Sequence, residues 1–293
     1  MSATRSTTRP DRTSGRSAGA ARAARPPAGR WLREHLVLVL GLLVLLYTFV
    51  PIAVVVLMSF NEGTRNVYAF QSFTLDNWAN VCEDQSMCDA LWVSIRIGVL
   101  ATLGATLLGT LAAFALVRHD FRGRSASNLL IFLPMAAPEI VLGSSLLALF
   151  VAAGFSGQLG FWTILIAHVM FCLSFVVVTV RSRLAGMDDS LEQAAMDLYA
   201  TPAQTFWRVT LPLVFPGILG AALLSFSLSF DDFIVTNLNA GTELTFPMYV
   251  WGASQRGVPM QVNVIGTVMF VLSIAVVLVG ELGSRRRSRA LSR

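Results

Sequence analysis

Six long apolar runs constrain the fold of this 293-residue chain more than any other feature. A run of about 20 apolar residues is long enough to cross the hydrocarbon core of a bilayer as a helix. Charged residues make up only 13% of the chain, about half the share that is usual in soluble domains. We therefore predict an all-α integral membrane protein with six transmembrane helices. The runs cover residues 36–59, 93–117, 129–153, 160–180, 212–235 and 262–280.

The positions of the basic residues predict the orientation of the spans. If the N-terminus is cytoplasmic, 19 of the 22 basic residues fall in segments on the inner side of the membrane. Such an excess is typical of cytoplasmic loops. We therefore expect a multi-pass cell membrane protein with both termini in the cytoplasm, and no nucleic-acid site. Three regions are predicted: a disordered basic tail that touches lipid headgroups (1–35), a six-span domain (36–282) and a second basic tail (283–293).

The absence of lysine excludes one common way of using ATP. All 22 basic residues are arginines, whereas a phosphate-binding P-loop requires a lysine. Any ATP hydrolysis through such a loop must therefore take place on another polypeptide. The three histidines are far apart, and no GxSxG, HExxH or CxxC motif is present. We predict neither an enzyme nor a bound metal or cofactor.

Two cysteines fall in a segment that is predicted to lie outside the cell. Cys82 and Cys88 are six residues apart, and an oxidising compartment would allow a disulfide between them. The sequence leaves the pairing open. Cys172 lies inside the fourth apolar run and is expected to be a packing residue.

A polar insert at about residues 188–211 separates the fourth and fifth apolar runs. From Ser190, a predicted N-cap, apolar residues recur at the spacing of an amphipathic helix. A second helix is expected at Thr201-Pro202, with threonine as the cap and proline at the first position. The insert is either an interfacial connector or a docking element for a cytoplasmic partner. The apolar positions are Leu191, Ala194, Ala195 and Leu198.

The polar insert resembles the EAA loop of bacterial ABC importer permeases, whose pattern is E-A-A-x3-G-x9-I-x-L-P. The matching positions are Gln193, Ala194, Ala195, Tyr199, Val209, Leu211 and Pro212. Gln193 replaces the glutamate, although Glu192 keeps a carboxylate nearby. Tyr199 replaces the glycine between the two helices. Because a residue other than glycine is uncommon at positive φ, we expect this turn to be reshaped or shifted.

In that family the loop docks on an ATPase subunit, so the resemblance implies a coupling role for this insert. The residues implied are Glu192, Gln193, Ala194, Ala195, Asp197, Tyr199, Pro202, Leu211 and Pro212. It also implies a type I permease fold, a second permease in a heterodimer, two ATPase subunits that bind ATP and Mg²⁺, and an extracytoplasmic solute-binding protein. Transport would proceed by alternating access.

Three further stretches resemble the permeases of spermidine/putrescine importers. They are PMAAPEIVLGSSLL (134–147), LSFSLSFDDFIVTN (224–237) and RGVPMQVNVIGT (256–267). The resemblance implies polyamines as substrates. Alternatives are a permease for ferric iron, an osmolyte, a sugar or an opine, or a membrane protein that does not transport.

Acidic residues inside apolar runs are expensive and usually face a polar cavity. Glu139 lies about ten residues into the third run, or about 15 Å deep in a straight helix. Pro134 and Pro138 flank it, so we expect a broken helix that lines a cavity; a buried pair with Arg96 is the alternative. Asp231 and Asp232 either mark the outer edge of the fifth span or form a deeper site for cations.

Aromatic side chains near these acids suit a path for flexible polycations. Phe230, Phe233 and Trp251 are expected to contribute cation–π contacts along it, with Tyr249 nearby. His168 lies in the fourth run, and we expect it to pack in the helix bundle rather than to relay protons.

Overall fold

The computed structural model describes residues 28–63, 69–188 and 190–291. Within these ranges the secondary structure is helical, apart from one antiparallel bridge between Asn61 and Phe73. A π-helical turn, Phe206–Thr210, joins α8 to α9. The helices are α1 Ala28–Met58, α2 Asp76–Ala79, α3 Gln85–Arg118, α4 Arg124–Ala136, α5 Glu139–Ala152, α6 Phe161–Ala185, α7 Ser190–Asp197, α8 Pro202–Thr205, α9 Leu211–Asp231, α10 Ile234–Asn239, α11 Phe246–Ser254 and α12 Met260–Leu291.

The predicted membrane spans are present, and one of them is broken. Five helical segments in the described residues are long and apolar enough to cross a membrane: His35–Met58, Gln85–Arg118, Phe161–Ala185, Pro202–Asp231 and Met260–Leu278. The sixth candidate is the pair α4 and α5, which bends by 113° at a short break. The third run is therefore not one straight helix. The expected all-α fold is confirmed.

The chain divides into two units at Val54. In the first unit, α1 already begins at Ala28, so the end of the tail that we predicted to be disordered is helical. Residues 1–27 of that tail lie outside the described residues. In the second unit, α12 continues to Leu291, through most of the predicted C-terminal tail.

The core of the second unit is built by α3, α6 and α9. Small residues recur at every fourth position of α3, at Ala101, Ala105, Gly109 and Ala113. This spacing places them on one helix face, where all four are buried. A Cβ at Gly109 would lie 2.7 Å from Cγ1 of Val176 in α6, so glycine is needed for this close helix contact. Cys172 is buried in the same core, as expected.

The N-terminal end of α3 is fixed by a cap and a disulfide. Asp84 caps the helix, because its Oδ1 accepts a hydrogen bond from the Ser86 backbone N–H at 3.0 Å. Its Oδ2 accepts one from the Tyr249 hydroxyl of α11 at 2.6 Å. The side-chain hydrogen bonds from Ser86 and then Tyr249 lower the pKa of Asp84. Cys82 and Cys88 form the disulfide that the sequence left open.

Candidate functional site

The break between α4 and α5 places Glu139 at the start of a helix. Proline disfavours the helical conformation of the residue before it, and Ala137 is extended, with ψ at 139°. Pro138 is also extended, and α5 begins at Glu139. The break expected near Pro134 and Pro138 is thus at Pro138, while Pro134 lies within α4. Glu139 is exposed and is not ten residues inside a continuous helix.

The alternative pairing of Glu139 with Arg96 is wrong. The Arg96 guanidinium lies 4.9 Å from the centroid of the Trp92 ring, which is a cation–π arrangement. Within the part of the chain that the structure describes, no basic side chain forms an ion pair with Glu139 or Asp231. Glu139 is instead close enough to Asp231 for the two charges to interact.

A second break, between α9 and α10, separates the two neighbouring aspartates. Asp231 is the last residue of α9 and is exposed. Asp232 is extended, with ψ at 124°, and its side chain is only 7% exposed. Its Oδ2 accepts hydrogen bonds from the backbone N–H of Thr236 at 2.7 Å and from the Thr236 hydroxyl at 2.8 Å. Asp232 therefore holds the first turn of α10.

His168 of α6 completes a buried polar network behind this break. Its Nδ1 lies 2.6 Å from the Ser229 hydroxyl, and its Nε2 lies 2.9 Å from the Thr236 hydroxyl. The Asp232 carboxylate is 3.4 Å from Nε2. Because Thr236 donates its proton to Asp232, its oxygen accepts from His168. His168 is a buried residue of the bundle, as expected, and it also fixes the position of the α9–α10 break.

The two breaks are brought together by contact between α5 and α10. The Asn239 side-chain amide donates to the Gly143 carbonyl at 3.1 Å. A Cβ at Gly143 would lie 2.8 Å from Cδ1 of Leu238 and 3.3 Å from Cα of Val235. Glycine at position 143 therefore allows α5 to touch α10, and these are the helices that follow the two breaks.

The predicted aromatic residues lie in two groups around the α9–α10 break. The rings of Phe233 and Trp251 pack with centroids 5.2 Å apart, and Trp251 is 58% exposed. Phe230 is half-buried between Phe226 and Phe246, at 5.9 and 6.3 Å. The Tyr249 hydroxyl donates a hydrogen bond to Asp84. The accessible surface next to Asp231 therefore presents the pair Phe233 and Trp251.

The polar insert folds as helix, turn and helix, as expected, through α7 and α8. Thr201 caps α8, with Pro202 at its start, and Gln204 completes a capping box. Ser190 is the first residue of α7 rather than its cap, and its N–H donates to Asp188 at 2.9 Å. Leu211 and Pro212 begin α9. Asp189 lies outside the described residues.

The turn of the insert stays at Tyr199 instead of shifting. Tyr199 takes the left-handed conformation at φ 64°, the region that normally favours glycine. Its backbone N–H still donates to the Met196 carbonyl at 2.9 Å. The side chain is 96% exposed. The expectation of a reshaped turn is therefore wrong for the backbone, and the strain remains in the chain.

Most of the apolar positions predicted to pack in α7 and just after it are exposed. Leu191 and Leu198 are exposed, as are Gln193, Ala194, Asp197 and Pro202, while Ala195 is half-buried. Glu192, which is not one of the predicted apolar positions, turns inward. Its Oε1 lies 2.5 Å from Nη2 of Arg118 and accepts from the Thr210 hydroxyl at 2.6 Å. Sequence reasoning missed both partners, because they are 74 and 18 residues away.

More than half of the chain matches one protein family. Residues 105–288 match the model of the family described as "Binding-protein-dependent transport system inner membrane component". The chain belongs to this family. As an inner membrane component of a transport system it is a multi-pass cell membrane protein and a transport subunit, not an enzyme.

Several members of the family are closely similar to this inner membrane component. The spermidine/putrescine transport system permease protein PotC of Haemophilus influenzae is 37% identical over 243 residues, which cover 83% of this chain and 93% of that protein. PotC of Escherichia coli K12 is 36% identical, covering 83% and 91%. The putrescine permease PotI of the same strain is 36% identical, covering 79% and 84%.

Solved structures confirm the fold of this inner membrane component. A bacterial ABC transporter that imports the acidic polysaccharide alginate aligns with a TM-score of 0.60 at 19% identity, over 89% of this chain and 98% of that chain. The alginate transporter in complex with a pentasaccharide-bound periplasmic protein aligns with a TM-score of 0.64 at 16% identity, over 88% and 96%.

Within the described ranges, no group of three or more His, Cys, Asp or Glu side chains is arranged to hold a metal ion.

Proposed function

We propose that this chain forms half of the translocation path of an ATP-driven importer for polyamines such as spermidine and putrescine. The observation that carries the proposal is a pair of exposed carboxylates, Glu139 and Asp231, which lie at two neighbouring helix breaks and are close enough for their charges to interact. Carboxylates inside a membrane domain that have no basic partner among the described residues are suited to a cationic cargo. The names of the similar permeases support the same substrate class.

Polyamines carry ammonium groups separated by flexible methylene chains. In this proposal Asp231 and Glu139 bind ammonium groups, and the exposed ring of Trp251 with Phe233 contacts the chain between them. Phe230 supports the wall of the path from behind. Asp232, which is buried and bonded to Thr236 and His168, holds Asp231 and Phe233 in place.

The polar insert is proposed as the contact with the ATPase. It would lie in the cytoplasm with both chain termini, as the arginine distribution predicts. Its exposed residues, Gln193, Ala194, Asp197, Tyr199 and Pro202, would meet an ATPase subunit that binds ATP and Mg²⁺. A second permease, two ATPase copies and an extracytoplasmic binding protein would complete the assembly, and ATP-driven closure would switch the path between inward and outward openings.

Uptake of labelled spermidine and putrescine by the reconstituted complex tests the substrate assignment. Asp231→Asn and Glu139→Gln are expected to raise the KM for spermidine by about 10-fold or more, because a hydrogen bond to a charged group contributes about 1.5–3 kcal/mol. The yield of assembled complex should not change. Asp120→Asn is the matched control, because this aspartate is exposed and paired locally with Arg124.

Two results would contradict the proposal. In the first, the wild-type complex takes up another solute, such as ferric iron, a sugar or an osmolyte, and no polyamine. In the second, Asp231→Asn leaves the KM for spermidine at the wild-type value.

A further inference from the structure

The Glu192 carboxylate joins the polar insert to α3, which is a long helix of the core of the second unit. Glu192 of α7 contacts Arg118, the last residue of α3, and Thr210 of the π-helical turn through the same oxygen. Its side chain is only 15% exposed, whereas the neighbouring Gln193 is exposed. α3, α7 and the π-helical turn therefore meet at Glu192, on the side of the insert that faces the core.

This ion pair differs from an ordinary surface pair. Hydrogen bonds between charged groups are stronger than neutral ones, and partial burial of both partners reduces screening by water and salt. The exposed fractions of the Arg118 and Glu192 side chains are 31% and 15%. The nearby pair of Asp120 and Arg124 is local in sequence, and its aspartate is 92% exposed. A pair of that kind contributes little.

The helix that receives this contact reaches the opposite end of the molecule's second unit. α3 has 34 residues, which corresponds to about 51 Å. At its other end, the N-cap Asp84 accepts a hydrogen bond from the Tyr249 hydroxyl. Further along the helix, the Ser94 hydroxyl accepts one from the Phe246 backbone N–H. Movement of α3 at Arg118 would therefore displace α11 through these two hydrogen bonds. α11 carries Trp251 of the proposed path.

A ring contact and a cavity lie beside the ion pair. The Phe114 ring of α3 meets Phe206 edge to face at 5.3 Å. A cavity of about 270 Å³ opens between α3, α7 and α8. The hydroxyl of Thr205, which lines it, is buried and makes no hydrogen bond. The insert and the π-helical turn therefore contact α3 through the ion pair and the ring pair, and the cavity separates them elsewhere.

We propose that Glu192 is a positioning residue that transmits movement of the polar insert to α3, and that it is not a contact for the ATPase. This inference rests on the proposed function, because it takes the insert to be the docking site of the ATPase. It assigns separate roles to two neighbours: Gln193 faces the partner, and Glu192 faces the membrane domain.

The test compares assembly with coupling in the complete complex. The complex is reconstituted with its ATPase, second permease and spermidine-loaded binding protein. ATP hydrolysis stimulated by that binding protein and spermidine uptake per ATP are then measured. For Glu192→Gln we expect normal copurification of the ATPase and a loss of stimulation and of uptake per ATP of about 5-fold or more, the usual lower range of coupling between sites.

A charge exchange separates transmission from a general structural role. The single change Arg118→Glu should lose coupling, and the double change Arg118→Glu with Glu192→Arg should restore most of it. The matched exchange, Asp120→Arg with Arg124→Asp, should leave coupling unchanged at every step. If Arg118→Glu lowers the yield of complex, two milder variants decide the question: Glu192→Gln removes the negative charge, and Thr210→Val removes the hydroxyl that donates to Glu192.

Three results would overturn the inference while leaving the proposed function in place. One is full stimulated hydrolysis and uptake in Glu192→Gln. The second is loss of the ATPase on purification of Glu192→Gln, which would make this carboxylate a docking contact. The third is a double exchange that restores nothing. By contrast, a wild-type complex that contains no ATPase, or is not stimulated by the spermidine-loaded binding protein, contradicts the proposed function itself.

Discussion

Tyr199 is held in a backbone conformation that side chains other than glycine rarely adopt. Its φ is 64°, and the left-handed region costs an ordinary L-residue about 1–2 kcal/mol. The chain tolerates this because the hydrogen bonds from Tyr199 and Ala200 to Met196 and Ala195 close the end of α7. The exposed ring makes the residue available to a partner, while its backbone stores the strain.

Relief of this strain should be measurable. Tyr199→Gly is expected to be as stable as the wild type or more stable by up to about 1 kcal/mol, and the β-branched Tyr199→Val should be less stable by a similar amount. Thermal unfolding of the purified chain in detergent gives the order. If Tyr199→Val unfolds at the wild-type temperature, the left-handed conformation of this residue is wrong.

Asp84 links helix capping to pH. Hydrogen bonds from Ser86 and Tyr249 lower its pKa in the folded chain, so its stabilising effect is complete above the unfolded pKa and is lost as the pH falls through the lower folded value. Asp84→Ala should destabilise the chain by about 1 kcal/mol at neutral pH, as for other helix caps. The difference from the wild type should shrink below about pH 4. An unchanged difference between pH 6 and pH 3 would contradict this assignment.

The neighbours Asp231 and Asp232 show how position decides the role of one residue type. α9 ends between them, so their side chains point to different surroundings: Asp231 is exposed, and Asp232 is buried against His168 and Thr236. The sequence predicts two neighbouring negative charges, but only the carboxylate of Asp231 is accessible in the structure. The distinction depends on Ser229, Thr236 and His168, which no local pattern connects.

At the scale of elements, the site depends on two broken helices and on the contact between α5 and α10. Pro138 breaks the first, and the turn at Asp232 breaks the second. Gly143 lets α5 approach α10 so closely that a Cβ would lie 2.8 Å from Leu238. We therefore expect packing at some distance from the carboxylates to set the geometry of the proposed site.

A larger residue at position 143 should separate these elements. Gly143→Val is expected to cost about 1–3 kcal/mol through overpacking and to raise the KM for spermidine, because Glu139 and Asp231 would move apart. Gly220→Ala in α9 is the matched control, since no atom lies within 4 Å of a Cβ there. Uptake kinetics and thermal unfolding of both variants give the answer. A wild-type KM in Gly143→Val would show that this contact does not set the site.

Local signals predicted some elements well. Thr201 and Pro202 start α8 as expected, because capping and proline chemistry act over only three or four residues. The interior face of α7 was not predicted, because its apolar spacing favoured Leu191 and Leu198 as the packed positions. In the structure, the contacts to Arg118 and Thr210 turn Glu192 inward instead.

At the scale of the whole molecule, the arginine distribution predicts the topology. A fluorescent protein that matures only in the cytoplasm should be bright when it is fused after Arg293. A cysteine introduced at Gly157, between α5 and α6, should be labelled by an impermeant maleimide in intact cells, whereas one at Arg122 should not. Labelling at position 122 alone would show that the orientation is the opposite of the predicted one. The polar insert would then be unavailable to a cytoplasmic ATPase.

The sequence by itself determined the apolar spans and the break in the third of them, because long apolar runs and proline positions act through lipid and local backbone chemistry alone. It also singled out Glu139, Asp231 and Asp232 as candidate acids. Only the tertiary structure decided which of them are exposed, that Asp232 pairs with His168, and that Glu192 faces α3. These facts depend on contacts between residues 61 to 74 positions apart, and packing of separate helices creates such contacts in ways that no local pattern records.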